Sequence, residues 1–188
     1  MGFGNARKKK KMLIPTLSSF DKVDKFKRAH AKYSLSMARI LDSGYENINT
    51  IGIDPGVHFG VTILVNGIVY VYEGDLLYDK QHPHDAGYSA FKLMQSDMFN
   101  SEFWSKRPFN VIIENASFGS PYGRERLETV RTGLYLGCRL YTNDIQVVPP
   151  ATIKKEVLGN GKAQAMDVFP TLNHNGADSV SIAFYGAK

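Results

Sequence analysis

This chain is poor in the residues that crosslink proteins or fix them in membranes. One cysteine, Cys138, stands among 188 residues, so an internal disulfide and a cysteine-based zinc site are both excluded. A reducing compartment fits that usage. No apolar run reaches the roughly 18 residues of a membrane-spanning helix. The stretch from Met1 to Lys11 is rich in glycine and lysine with no apolar core behind it, unlike a secretory signal. The expectation is a cytoplasmic protein that is neither secreted nor membrane-bound. A chain disordered throughout is also excluded, because hydrophobic residues make up 43% and charged residues 22%, enough to build a core. This length suits one ordinary domain, with room for an appendage.

What is present is basic, and unevenly so. The net charge is +5, yet residues 1–48 hold 11 Lys/Arg against 4 Asp/Glu, whereas the remainder hold 12 against 14. The chain therefore divides into a basic N-terminal arm, 1–48, and a folded domain, 49–188. Lys8, Lys9 and Lys10, inside the run Arg7 to Lys11, suit phosphate contacts that release counterions. A solvated tail is the equal alternative. From Ser19 to Leu41, Phe20, Val23, Phe26, Ala29, Tyr33, Leu35, Met37 and Ile40 recur at broadly helical spacing, which predicts one or two amphipathic helices.

Residues 50–67 organise the rest. Ile51 and Ile53 read as strand, and Pro55-Gly56 fix a turn, since Pro holds φ near about −65° and Gly tolerates positive φ. Phe59 to Val65 is a second β-rich run, Asn66-Gly67 signals a two-residue hairpin, and Ile68 to Tyr72 runs back. Asp54 thus ends a strand beside a hairpin. A carboxylate on so rigid a support suits metal binding; a turn-capping aspartate is the alternative.

Apolar residues from Tyr88 to Trp104 predict a helix over 85–106, ended before Pro108. Phe109 to Ile113 is a continuous apolar run, the pattern of a buried parallel strand, and it delivers Glu114. The following loop carries Phe118 and Tyr122 beside Arg124 and Arg126. Stacking of the two aromatics on unpaired bases and plain loop packing remain level alternatives. Arg124 to Leu140 predicts a helix, with Gly133 and Gly137 on one face permitting close approach of another helix, within the chain or across a subunit contact. Ile145 to Val148 is a last strand. Beyond it, Lys154, Lys155 and Lys162 flank the glycine-rich Gly159-Asn160-Gly161. That turn either holds phosphate or joins two short helices. Asn173 to Asp178 opens a C-terminal helix, with Asn175 and Asp178 on one face.

Asp54, Glu114 and Asp178 would together form an oxygen-ligand site for Mg²⁺ or Mn²⁺. Two such ions ~4 Å apart activate water and stabilise a leaving oxygen in phosphodiester hydrolysis. At this point the chain resembles the RuvC family of Holliday junction resolvases, in the ribonuclease H-like superfamily, over residues 50–186. The resemblance is carried by Gly52-Ile53-Asp54-Pro55-Gly56 with Gly60, by Ile112-Ile113-Glu114, by Pro150 to Lys154 followed by Gly159 to Ala163, and by Ala177-Asp178-Ser179 with Ile182-Ala183. It implies an α/β fold with a mixed sheet flanked by helices, here extended by the basic N-terminal arm. It also implies a homodimer that nicks opposed strands of a four-way DNA junction with two Mg²⁺ or Mn²⁺ ions. Asp54, Glu114 and Asp178 map to metal-binding carboxylates, and Lys154 to a basic residue near the scissile phosphate.

Two positions depart from the family. The acid expected three residues before the last aspartate is Asn175, which keeps one oxygen but no charge, and a lysine expected in the glycine-rich segment is Ala165. Lys155 or Lys162 can replace that lost charge, and His174 can offer a nitrogen ligand or general base, or serve only as a surface or capping residue. The short 165–178 segment suggests a viral or divergent member, in a bacterial or virus-infected cell. Two rival readings stay open: a branched-DNA-binding protein that does not cut, and an actin-like phosphotransferase.

Overall fold

The computed structural model describes residues 32–42, 49–77, 84–95, 109–115, 124–170 and 172–188. Its framework is a six-stranded sheet of β1 (Lys32–Asp42), β2 (Asn49–Asp54), β3 (His58–Val65), β4 (Ile68–Leu77), β5 (Asn110–Glu114) and β6 (Ile145–Val148). The strands lie in the order β1-β4-β3-β2-β5-β6. The β1–β4, β4–β3 and β3–β2 pairs are antiparallel, and the β2–β5 and β5–β6 pairs are parallel. The turn between β3 and β4 is the expected one: Asn66 and Gly67 both take positive φ, 49° and 82°, the backbone that matches strand twist in a two-residue hairpin.

The five described helices are α1 (His84–Leu93), α2 (Arg124–Arg139), α3 (Pro150–Leu158), α4 (Ala165–Val168) and α5 (His174–Gly186). They divide between the two faces of the sheet according to strand parity. Ile51, Ile53, Phe59, Val61, Ile63, Val111 and Ile113 point one way and form a core with Ala86, Ala90 and Leu93 of α1 and Val130, Leu134 and Cys138 of α2. The intervening residues point the other way. Leu64, Val69 and Val71 meet Ala177 and Val180 of α5, while Ile112 meets Val148, Ile153 and Ile182.

One expectation is overturned, one is seen in part, and one open alternative is decided. Residues 32–42 form β1, not helix, and pair with β4 from Lys32↔Leu77 to Asp42↔Ile68. The alternation Tyr33-Ser34-Leu35-Ser36-Met37 has the period of two that a strand needs. β4 runs five residues beyond the expected Tyr72, so its outer edge offers a long row of backbone groups on which another strand can pair. The division at residue 48 therefore falls between two strands of one sheet, and 1–31 lies outside the described residues. Second, the helix expected over 85–106 is seen as α1 to Leu93, with 96–106 outside the described residues. Third, Gly133 and Gly137 serve a contact inside the chain, since a Cβ on Gly133 would strike the Gly87 carbonyl of α1 and one on Gly137 would strike Met94, just past its end.

Candidate active site

The same parity places the carboxylates. Gly52 faces α5, so Asp54, two residues on, leaves the C-terminal end of β2 on that side; Ile112 and Glu114 do likewise on β5. Residues 50–53 pair in register with 110–113, which puts Asp54 and Glu114 side by side beyond the ends of parallel strands, the usual position of sites in open α/β sheets. Asp178 comes from the second turn of α5, and Lys154 from α3 beneath it.

Glycines bring the helix close enough. A Cβ on Gly52 would collide with the backbone of Ala183 and Ser179, and one on Gly60 with the carbonyl of Asn175. Without side chains there, α5 lies with its backbone directly on β2 and β3. Thr62 Oγ1 donates to Ser179 Oγ at 2.7 Å, and Ser179 Oγ donates to the Gly176 carbonyl at 2.9 Å. The first turn is fixed by Asn173, whose Oδ1 caps Gly176 N at 2.9 Å while its Nδ2 donates to Glu73 of β4.

The electrostatics follow from this crowding. Burial, then the nearby Asp178 charge, raises Asp54 from an ordinary 3.8 to about 7, with Lys154 opposing. Glu114 is raised from 4.5 to about 8 by burial and by the charges of Asp54 and Asp178, with Lys154 and His174 opposing. Asp178 is only 6% exposed. Its Oδ2 takes a 2.6 Å contact from His174 Nδ1, while its Oδ1 lies 3.6 Å from Lys154 Nζ and accepts no hydrogen bond. Two proton-hungry carboxylates and an orphaned buried oxygen fit a hard divalent cation, which relieves the repulsion and takes oxygen ligands. Among the described residues no three His, Cys, Asp or Glu side chains stand, as placed, where together they could hold a metal ion. The fit therefore rests on donor chemistry and charge.

The other expected residues distribute as follows. Asn175 sits half-buried on the first turn of α5, with its carbonyl over Gly60. His174 is largely exposed and reaches Asp178; the cap itself is Asn173. Lys155 and Lys162 are exposed, and residues 159–163 join α3 to α4 through Gly159 at φ 77° and an Asn160 side chain that accepts from Lys162 N. Arg124 and Arg126 begin α2. Phe118, Tyr122, Lys8, Lys9 and Lys10 lie outside the described residues. Sequence reasoning missed Glu73, whose link to Asn173 joins residues far apart in the chain; the N-capping role of Asn173 was findable, since Asn at a helix start is a strong local signal.

This arrangement defines a ribonuclease H-like α/β fold. More particularly, the fold is RuvC-like: it is similar to Thermus thermophilus RuvC in complex with Holliday junction substrate, at a TM-score of 0.50 and 13% identity over 73% of this chain and 90% of that one. Another Thermus thermophilus RuvC structure has a TM-score of 0.49 and 16% identity over 72% of this chain and 91% of that one. The chain matches no family model and no curated protein sequence.

Proposed function

We propose that this chain is a structure-selective endodeoxyribonuclease that binds four-way DNA junctions as a homodimer and nicks two opposed strands symmetrically. The observation that carries this reading is that Asp54 and Glu114, at adjacent strand ends, both feel the charges of Asp178 and Lys154. The fold supports it, because a structural neighbour at low identity is a RuvC whose complex with Holliday junction substrate has been solved. Asp54, Glu114 and Asp178 are the residues that would hold Mg²⁺ or Mn²⁺, as two ions, which when bound polarise the phosphoryl oxygen and acidify water. Lys154 holds the scissile phosphate against the carboxylates. Asp178 fixes the orientation of His174, leaving its Nε2 free to take or return a proton at the mouth. Arg124, Arg126, Lys155 and Lys162 contact the DNA backbone, Lys8, Lys9 and Lys10 extend that contact, and Phe118 or Tyr122 stacks on a base at the branch point. The half-exposed Tyr88 and Leu136 on α1 and α2 are available for the dimer contact. The setting is the reducing interior of a bacterial or virus-infected cell. Among the described residues no helix is long and apolar enough to cross a membrane.

Asn175 favours one second reading, a junction-binding protein that does not cut, because the missing charge weakens the hold on a second ion. Cleavage of a labelled four-way junction beside linear duplex, with Mg²⁺ or Mn²⁺, for this chain and for Asn175→Asp, separates the readings. Paired nicks by both proteins support the resolvase, with the Asp form faster by about tenfold or more. Nicks from the Asp form alone identify the binding protein. If neither form cuts or prefers the junction, the proposal fails and the fold remains. An actin-like phosphotransferase is not proposed, since the described residues form a single sheet rather than two lobes.

A further inference from the structure

Glu114 is the last residue of β5. Its position therefore depends on whatever holds the next residue. Asn115 is held twice. Its backbone nitrogen donates to the Val148 carbonyl at 2.8 Å, which extends the β5–β6 pairing by one step. Its side-chain Oδ1 accepts from Nη1 of Arg131, on the third turn of α2. The other arm of that guanidinium, Nη2, donates to Glu128 Oε2 one turn earlier on the same helix. Arg131 is mostly covered, with 22% of its side chain exposed, so the planar fork is fixed at both ends and has little freedom to swing away. It is absent from the charges that shift Glu114; its effect on that carboxylate is geometric.

We infer that Arg131 is a positioning residue for the reaction: it latches Asn115 to α2 and thereby holds the Glu114 carboxylate in register with Asp54 and Asp178. The inference rests on the proposed nuclease function. A latch is needed here because Asp54 is braced by a tight turn and Asp178 by a docked helix, whereas Glu114 ends a strand of only five residues. Placement errors of about 1 Å at a reacting centre are enough to cost a hundredfold in rate.

The test uses the full chain and the variants Arg131→Met, Arg131→Lys, Asn115→Ala and the double Arg131→Met/Asn115→Ala. Three quantities are read: the single-turnover nicking rate on a four-way junction at saturating protein, junction affinity without divalent metal, and amide hydrogen exchange at Asn115. Arg131→Met is expected to slow nicking at least tenfold and to speed exchange at Asn115, with affinity within twofold of wild type. Arg131→Lys, which keeps the charge but loses the fork, is expected to recover the rate only in part. The double variant is expected to be no slower than the slower single, the signature of two groups acting through one bond. Unchanged exchange, unchanged rate, additive losses, or a rate loss matched by lost affinity each overturns the inference, the last by making Arg131 a direct DNA contact. A wild-type chain that nicks no junction removes the proposed function and this inference together. Wild type and Arg131→Met nicking equally fast removes the inference alone.

Discussion

The two faces of the sheet are built on opposite plans. Toward α1 and α2, β2, β3 and β5 present Ile51, Ile53, Phe59, Val61, Ile63, Val111 and Ile113, all almost fully buried, and the helices stand off on large side chains. Toward α5, β2 and β3 present Gly52, Gly60 and Thr62, and the helix rests its backbone on theirs. The first face maximises apolar area removed from water. The second gives up that area, and what it obtains is distance: only a helix lying this low can bring Asp178 beside Asp54 and Glu114. The chain thus separates the face with the larger apolar core from the face on which Asp54, Glu114 and Asp178 stand.

Substitutions on each face sharpen the contrast. The largest effect is expected from Gly52→Ala. One methyl group there meets backbone rather than flexible side chain, and α5 must lift off, at about 3 kcal/mol or more. On the opposite face Leu134→Ala, which deletes far more atoms, is expected to cost about 2–5 kcal/mol by leaving a cavity. Urea unfolding measures both losses. Junction nicking distinguishes them, because Gly52→Ala should lose it even under conditions where the protein is folded, whereas Leu134→Ala should keep it while folded.

The next effect is electrostatic and belongs to the α5 face alone. Asp54 and Glu114 bind protons more tightly in the folded state than in the unfolded chain. Their contribution is therefore fully present below about pH 4 and is lost as pH rises through the folded values of about 7 and 8. A decline on the order of a few kcal/mol is expected in the urea unfolding free energy over that window without divalent metal. Glu114→Gln should flatten it. Mn²⁺ should restore stability above about pH 8 and do little at the acid end, because bound cation and proton compete for the same carboxylates. A flat profile for the wild-type chain would show that the two carboxylates are not held together as described.

The smallest expected effect is Thr62→Val, which keeps the shape and removes the donor to Ser179. A loss of about 1 kcal/mol is expected, together with a lower nicking rate, whereas Ile63→Val, one residue away on the other face, should cost about 0.5–1.5 kcal/mol and leave the rate unchanged while folded. Thermal unfolding and junction cleavage on the pair would settle whether the Thr62–Ser179 bond holds the helix for chemistry or only for stability.

Much of this was legible in the chain itself, and for local reasons. The strand Ile51 to Ile53 stopped by Pro55-Gly56, and the continuous apolar run Phe109 to Ile113 before Glu114, are enough to say that two carboxylates stand at strand ends. Asn66-Gly67 specifies its turn without help from the rest of the molecule, and Pro150 and Gly159 bracket α3 as helix chemistry requires. Tertiary structure alone decided the remainder. Tyr33 to Ile40 satisfied a helical count and an alternating one equally, and the open edge of β4 selected the strand. Gly133 and Gly137 announced a close helix contact, but only the packed helices show that α1, inside the chain, fills it. The links of Glu73 to Asn173 and of Arg131 to Asn115 join elements that no local pattern relates, because hydrogen bonds between side chains on separate elements depend on where the whole sheet places them.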